Sequence, residues 1–140
     1  MFSLKALFQR FRQPAHLHGI QPAKLSLNHL WQGLYDERNL EQAFQWLCEQ
    51  TKEASDHNDV WDYRRNWSER KVQLRRTLQL GEFQFQTVRV VEVPNEQGQS
   101  ERREVRCAED RLVIRALSQV LQPVLQPRLS KHCLFAGRGL

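Results

Sequence analysis

Between residues 81 and 127 the spacing of apolar positions changes once from a strand period to a helix period, and that change predicts the main elements. Phe83, Phe85, Val88, Val90, Val91 and Val93 form an aromatic and β-branched run, the composition of a pleated strand. Pro94-Asn95-Glu96-Gln97-Gly98 is turn chemistry: proline fixes φ, and Asn and Gly accept positive φ. A return strand is expected over residues 101–107. Side chains alternate across a strand, so Arg103, Val105 and Cys107 take one face and Arg102, Glu104 and Arg106 the other. Asp110-Arg111 then opens a helix carrying Leu112, Val113, Ala116, Leu117, Val120, Leu121, Val124 and Leu125 as a wide apolar stripe.

Upstream, the apolar spacing is helical. Residues 1–13 place Phe2, Leu4, Leu7, Phe8 and Phe11 on one face beside Lys5 and Arg10, a short basic amphipathic helix expected to dock on the domain. Pro14, Gly19 and Pro22 make 14–23 a connector. Ser26 is placed to cap a helix with Leu27, Leu30, Trp31, Leu34 and Tyr35. Asn39, three residues before Gln42, has capping-box spacing for a second helix with Ala43, Phe44, Trp46 and Leu47, running to about Ala54. A polar break at 55–58 follows. Trp61, Tyr63 and Trp67 then interleave with Arg64, Arg65 and Arg70, and Ser68 is placed to cap a helix ending at Leu80-Gly81. The expected fold class is α+β, a helical N-terminal half followed by a long β-hairpin and an amphipathic helix. The expected division is 1–23, basic helix and connector, and 24–140, one partial domain.

Composition narrows the function. With 21 Lys and Arg against 16 Asp and Glu the net charge is +5, and the isoelectric point is about 9.5 with a mean hydropathy of −0.68. Such a balance suits a polyanionic partner, because Lys and Arg displace counterions from phosphates, and it also serves plain solubility. A length of 140 residues fits one domain or part of one. Cys48, Cys107 and Cys133 are odd in number and far apart, which is no disulfide framework and suits a reducing cytoplasm. No apolar run approaches the ~20 residues of a membrane helix, and residues 1–11 lack the cleavage-site pattern of a signal peptide. His16, His18, Cys48, His57, Cys107, His132 and Cys133 have no metal-knuckle spacing. Gly137-Arg138-Gly139 lacks the helix and Lys-Ser/Thr of a phosphate loop.

The order of motifs from residue 93 onward resembles the fingers region of bacterial reverse transcriptases of the group II intron and retron-like kind. There an "IPK…G…R" hairpin precedes "DRxVxxAL…LxPxxxPxFS". The matching residues are Val93-Pro94, Gly98, Arg102 or Arg103, the run from Asp110-Arg111 to Ala116-Leu117, and Val120-Leu121-Gln122-Pro123-Val124-Leu125-Gln126-Pro127-Arg128-Leu129-Ser130. Cys133-Leu134-Phe135-Ala136-Gly137-Arg138-Gly139 is similar to the "CxHLxGxGG" of one branch, and the resemblance extends weakly upstream to about Leu34. The family's Lys after the Pro is replaced in this chain by Asn95.

The resemblance implies roles for particular residues. Hairpin cations of such fingers hold the triphosphate of the incoming nucleotide, so Arg102, Arg103 and Arg106 are the nucleotide-binding candidates. The alternative is a solvated charged strand with Glu101, Glu104 and Glu109 as partners. Arg64, Arg65, Arg70, Lys71, Arg75 and Arg76 are candidates for template or primer backbone contact, with Trp61 and Trp67 expected as core anchors. Arg111 is a helix-start residue whose family counterpart reaches the template; pairing with Glu109 is the alternative. The family's catalytic aspartates lie in an Asp strand motif and a Tyr-x-Asp-Asp hairpin, and neither occurs in this sequence. The Mg²⁺ pair such aspartates hold is therefore expected only with a palm domain, and this chain is expected to carry no catalytic residue and no cofactor. Three functions follow: the inactive front of a reverse transcriptase-like protein, a stand-alone basic module for RNA or single-stranded DNA, or a mobile-element remnant. Without a palm, residues 112–125 are expected to offer a surface for the missing palm portion or for self-association. No helix-turn-helix with a short Gly turn supports a transcription regulator.

Overall fold

A computed structural model describes residues 27–51 and 58–128. Their order is α1 (Leu27–Leu34), α2 (Glu37–Gln50), α3 (Asn58–Arg65), α4 (Trp67–Leu80), β1 (Arg89–Pro94), β2 (Ser100–Val105) and α5 (Ala108–Leu125), with a closing 3₁₀ turn, Gln126–Arg128. This is the α+β arrangement expected. The basic helix and connector of 1–23, the Ser26 cap and the motif from Cys133 lie outside the described residues, whereas the second helix ends at Gln50, with Thr51 at its C-cap, and not near Ala54.

Local chemistry moves several boundaries. Asp36, not Asn39, caps α2: its Oδ1 accepts from the N–H groups of Arg38 (3.0 Å) and Asn39 (3.4 Å). Helix α3 occupies a stretch whose sequence showed only aromatic and basic residues interleaved. Val60, Tyr63 and Trp67 bury at i, i+3 and i+7, a helical spacing that runs on across the turn at Asn66. Asn66 rather than Ser68 holds the cap position of α4. Gly81 closes that helix as expected, at φ 70, with its N–H donating to Leu78 O and that of Glu82 to Thr77 O.

The hairpin is shorter than its composition suggests. Phe83 is buried and Phe85 half-buried, their rings edge to face at 5.2 Å, so these two side chains serve the core, while Gln84 between them makes a single bridge outside the ladder. The strands pair antiparallel from Arg89 opposite Val105 to Pro94 opposite Ser100. Asn95 organises the turn: its Oδ1 accepts from the N–H groups of Gln97 (3.0 Å) and Gln99 (2.8 Å), and Gly98 takes φ 75. Among the described residues neither strand packs extensively on a helix. Helix α5 starts at Ala108, earlier than the expected Asp110, because Cys107 takes the cap position and its Sγ accepts from the N–H of Asp110 at 3.4 Å.

Helices α2 and α5 share the most extensive interhelical contact. Leu34, Leu40, Leu47, Leu112, Val113 and Ala116 are fully buried there. Asn39 ties three helices at this seam. Its Nδ2 donates to Leu34 O and Ala116 O, both at 3.1 Å, and Gln119 Nε2 donates to its Oδ1 at 2.8 Å. On the same stripe of α2, Phe44 stacks on Trp67 with centroids 4.1 Å apart. The stripe expected to await a palm over 112–125 is therefore covered in its first half by the chain's own helices. Only the second half, ending at exposed Leu125, is partly open. Among the described residues no helix is long and apolar enough to cross a membrane.

Candidate nucleic-acid interface

Across α3 and α4 the excess of positive charge lies on α4, since Arg64 and Arg65 of α3 are balanced by Asp59 and Asp62. Residues 58–80 hold six cations against three carboxylates, whereas residues 89–106 hold four arginines against four glutamates. The hairpin thus carries no net charge, and the helical pair is the stronger attractor for phosphates.

Three of the expected nucleic-acid contacts also pair within the chain. Arg70 meets Asp62 at 3.4 Å and lies 5.3 Å from the centre of the Tyr63 ring. Lys71 Nζ donates to Glu37 at 2.9 Å and to Glu41 at 3.4 Å, and the hydrogen bond to Glu37 raises the lysine's pKa and lowers that of the glutamate. Arg111 pairs with Asp59 at 3.5 Å, not with Glu109, and its side chain is only 19% exposed. Burial there pulls the guanidinium pKa down while Asp59 holds it up. These three cations join helices to one another.

Arg64, Arg65, Arg75 and Arg76 are exposed and make no ion pair among the described residues. On the hairpin, Arg102 and Arg103 pair with Glu92 and Glu101, both at 3.7 Å and with at least half of each side chain exposed, which is the weak class of surface pair. Glu104 and Glu109 are not their partners. Arg106 is exposed. Asn95, at the position of the family's lysine, spends its side-chain oxygen on the turn.

The tryptophans divide. Trp67 is the core anchor expected, and its Nε1 donates to Glu41 at 3.1 Å. Trp61 is not: it is 58% exposed, with the Arg64 guanidinium 5.8 Å from its ring centre.

A polar joint at the start of α5 escaped sequence reasoning. Asp59 of α3 accepts from the N–H of Ala108 at 2.6 Å as well as from Arg111, so it caps α5 from another helix. Glu109 accepts from the Tyr63 hydroxyl at 3.2 Å, and Asp110 accepts from the N–H of Gln86 at 3.0 Å. Asp110 is 1% exposed, and its Oδ1 has no partner among the described residues. Among the described residues no group of three ligating side chains could hold a metal ion.

Burial pushes the carboxyls of Glu109 and Asp110 up, against the hydrogen bonds that hold them down. A carboxyl raised in the folded state binds its proton more readily there than in the unfolded chain. Each such group adds stability fully below its ordinary value, 4.5 for Glu109 and 3.8 for Asp110, and loses it as pH rises through the raised value. The melting temperature of the parent relative to Glu109→Gln is therefore expected to rise as pH falls from about 7 to about 4. A difference that stays flat or falls would contradict the burial of this carboxyl.

A scan against protein-family models and a search of curated proteins each returned no match.

Proposed function

We propose that the chain is a fingers-type portion of a reverse transcriptase-like protein, of the group II intron and retron-like kind, that binds RNA or single-stranded DNA through Arg64, Arg65, Arg75 and Arg76. One observation carries the binding: these four arginines, on two consecutive helices, stand exposed with no ion pair among the described residues, while Arg70 and Lys71 of α4 pair with Asp62, Glu37 and Glu41. The motif order from Val93 to Ser130 supports the family. On this reading the chain holds a strand and does no chemistry; the metal-binding aspartates belong to a palm, for which the open second half of α5 is a contact surface.

A second reading gives Arg102, Arg103 and Arg106 to the triphosphate of a nucleotide. The exposure of all three arginines favours it. The hairpin's balanced charge and the use of Asn95 in the turn rank it behind the helical interface.

The test is a binding titration with a single-stranded oligonucleotide at rising salt. Single strands lose affinity with a log–log slope of about −0.7 per neutralised phosphate, so four arginine contacts give about −3, or roughly fifty-fold between ~50 and ~200 mM salt. A slope near zero, or no binding at the lowest salt, overturns the reading.

A further inference from the structure

Helix α3 needs only Val60 and Tyr63 to face the core, and both are buried. Trp61 lies on another face with Arg64 and Arg65, at i, i+3 and i+4, where helical side chains are neighbours. All three are exposed. Large aromatics contribute most when buried, so an indole left 58% exposed, with the Arg64 guanidinium 5.8 Å from its ring centre, is a largely open apolar surface beside two arginines. Beside it is a shallow concavity lined by Cys48, Thr51, Val60, Trp61 and Arg64. The other tryptophans of the described residues differ. Trp67 is stacked in the core on Phe44, and Trp31 and Trp46 pack against the core, half-buried.

We infer that Trp61 is a stacking platform for an unpaired nucleobase, with Arg64 and Arg65 placed for the adjoining phosphates. The inference rests on the nucleic-acid reading above and adds what that reading leaves open: recognition of a base face as well as a backbone. An indole accepts any base by its π-face, and a duplex hides that face inside the stack. The ligand is thus a single strand with at least one unstacked base, and charge complementarity with the flanking arginines supplies its orientation.

The test uses the full chain with oligo(U), oligo(dT) and a mixed-sequence duplex, each of roughly twelve nucleotides, within the usual range of single-strand site sizes. Trp61→Ala is expected to weaken both single strands roughly ten- to a hundred-fold, the worth of one base–aromatic stack. Trp61→Phe restores most of the loss, duplex binding changes less than about twofold, and the salt slope stays at the parent's value. The exposure of Trp61 predicts an unchanged melting temperature for both variants. Equal weakening of single strands and duplex overturns the stack, as does a loss confined to RNA or to DNA, which would assign the contact to the sugar. If Trp61→Ala binds like the parent while loss of Arg64, Arg65, Arg75 and Arg76 abolishes the salt slope, the stack fails and the backbone interface stands. If the parent chain binds none of the three, both fall.

Discussion

Asn39→Ala is expected to lower the stability of the chain by about 2–4 kcal/mol, read as a shift in the urea or thermal midpoint. The residue sits in the first turn of α2 yet bonds outward, to Leu34 O at the end of α1, to Ala116 O in α5 and to the Gln119 amide. Each such bond contributes about 1 kcal/mol net, and truncation leaves the half-buried Gln119 amide with only the backbone carbonyl of residue 39, at 3.1 Å, of its two acceptors there. Asn39→Leu restores bulk without the polar atoms and is expected to cost about as much as the alanine. A double-mutant cycle with Gln119→Ala should return a coupling of about 1 kcal/mol, since the two share one bond network. A change below about 0.5 kcal/mol for Asn39→Ala would place this amide among ordinary surface residues and contradict its part in the seam.

The second large effect belongs to Asp59. Asp59→Ala should cost about 2–3 kcal/mol, because it removes at once the acceptor for the Ala108 N–H and the counter-charge of Arg111. Hydrogen bonds to charged groups fall at the upper end of their class, and a mostly buried guanidinium left alone is penalised further. Asp59→Asn keeps an oxygen for the helix start but loses the charge, so it should cost about half as much. The combined change Asp59→Ala with Arg111→Ala should cost less than the sum of the two, since removing the guanidinium relieves the penalty of stranding it. Additive losses would mean that the two side chains do not act as a pair.

The elements with a clear apolar period were legible in the sequence: α2, α4 up to Gly81, and the stripe of α5. Where composition was the only guide, the reading overshot. Phe83 and Phe85 suit a strand and a core equally, and burial in the core ended the hairpin early. In α3 the buried set is two residues plus Trp67 beyond a turn, too short a pattern to separate from aromatic and basic residues mixed in a loop. Caps decided by local reach were ambiguous by a few residues, as with Asp36 and Asn39. The cap given to α5 by Asp59 has no local signal, for its partner is 49 positions away. The same limit governed the site. Sequence showed which residues are cationic but not which are already taken: Lys71 meets Glu37 across 34 positions and Arg111 meets Asp59 across 52. Trp61 and Trp67 were indistinguishable by neighbourhood, and only their opposite exposure separates an anchor from a surface aromatic.

The most direct test of the interface compares salt titrations of single-strand binding for three proteins: the parent, the variant with Arg64, Arg65, Arg75 and Arg76 changed to alanine, and Arg102→Ala with Arg103→Ala. None of these six arginines is buried, so all three proteins should fold. If the strand lies on α3 and α4, the slope of about −3 collapses toward zero in the four-arginine variant and is kept by the hairpin variant. If the hairpin variant loses the slope and the four-arginine variant keeps it, the strand lies on the hairpin and the proposed interface is wrong.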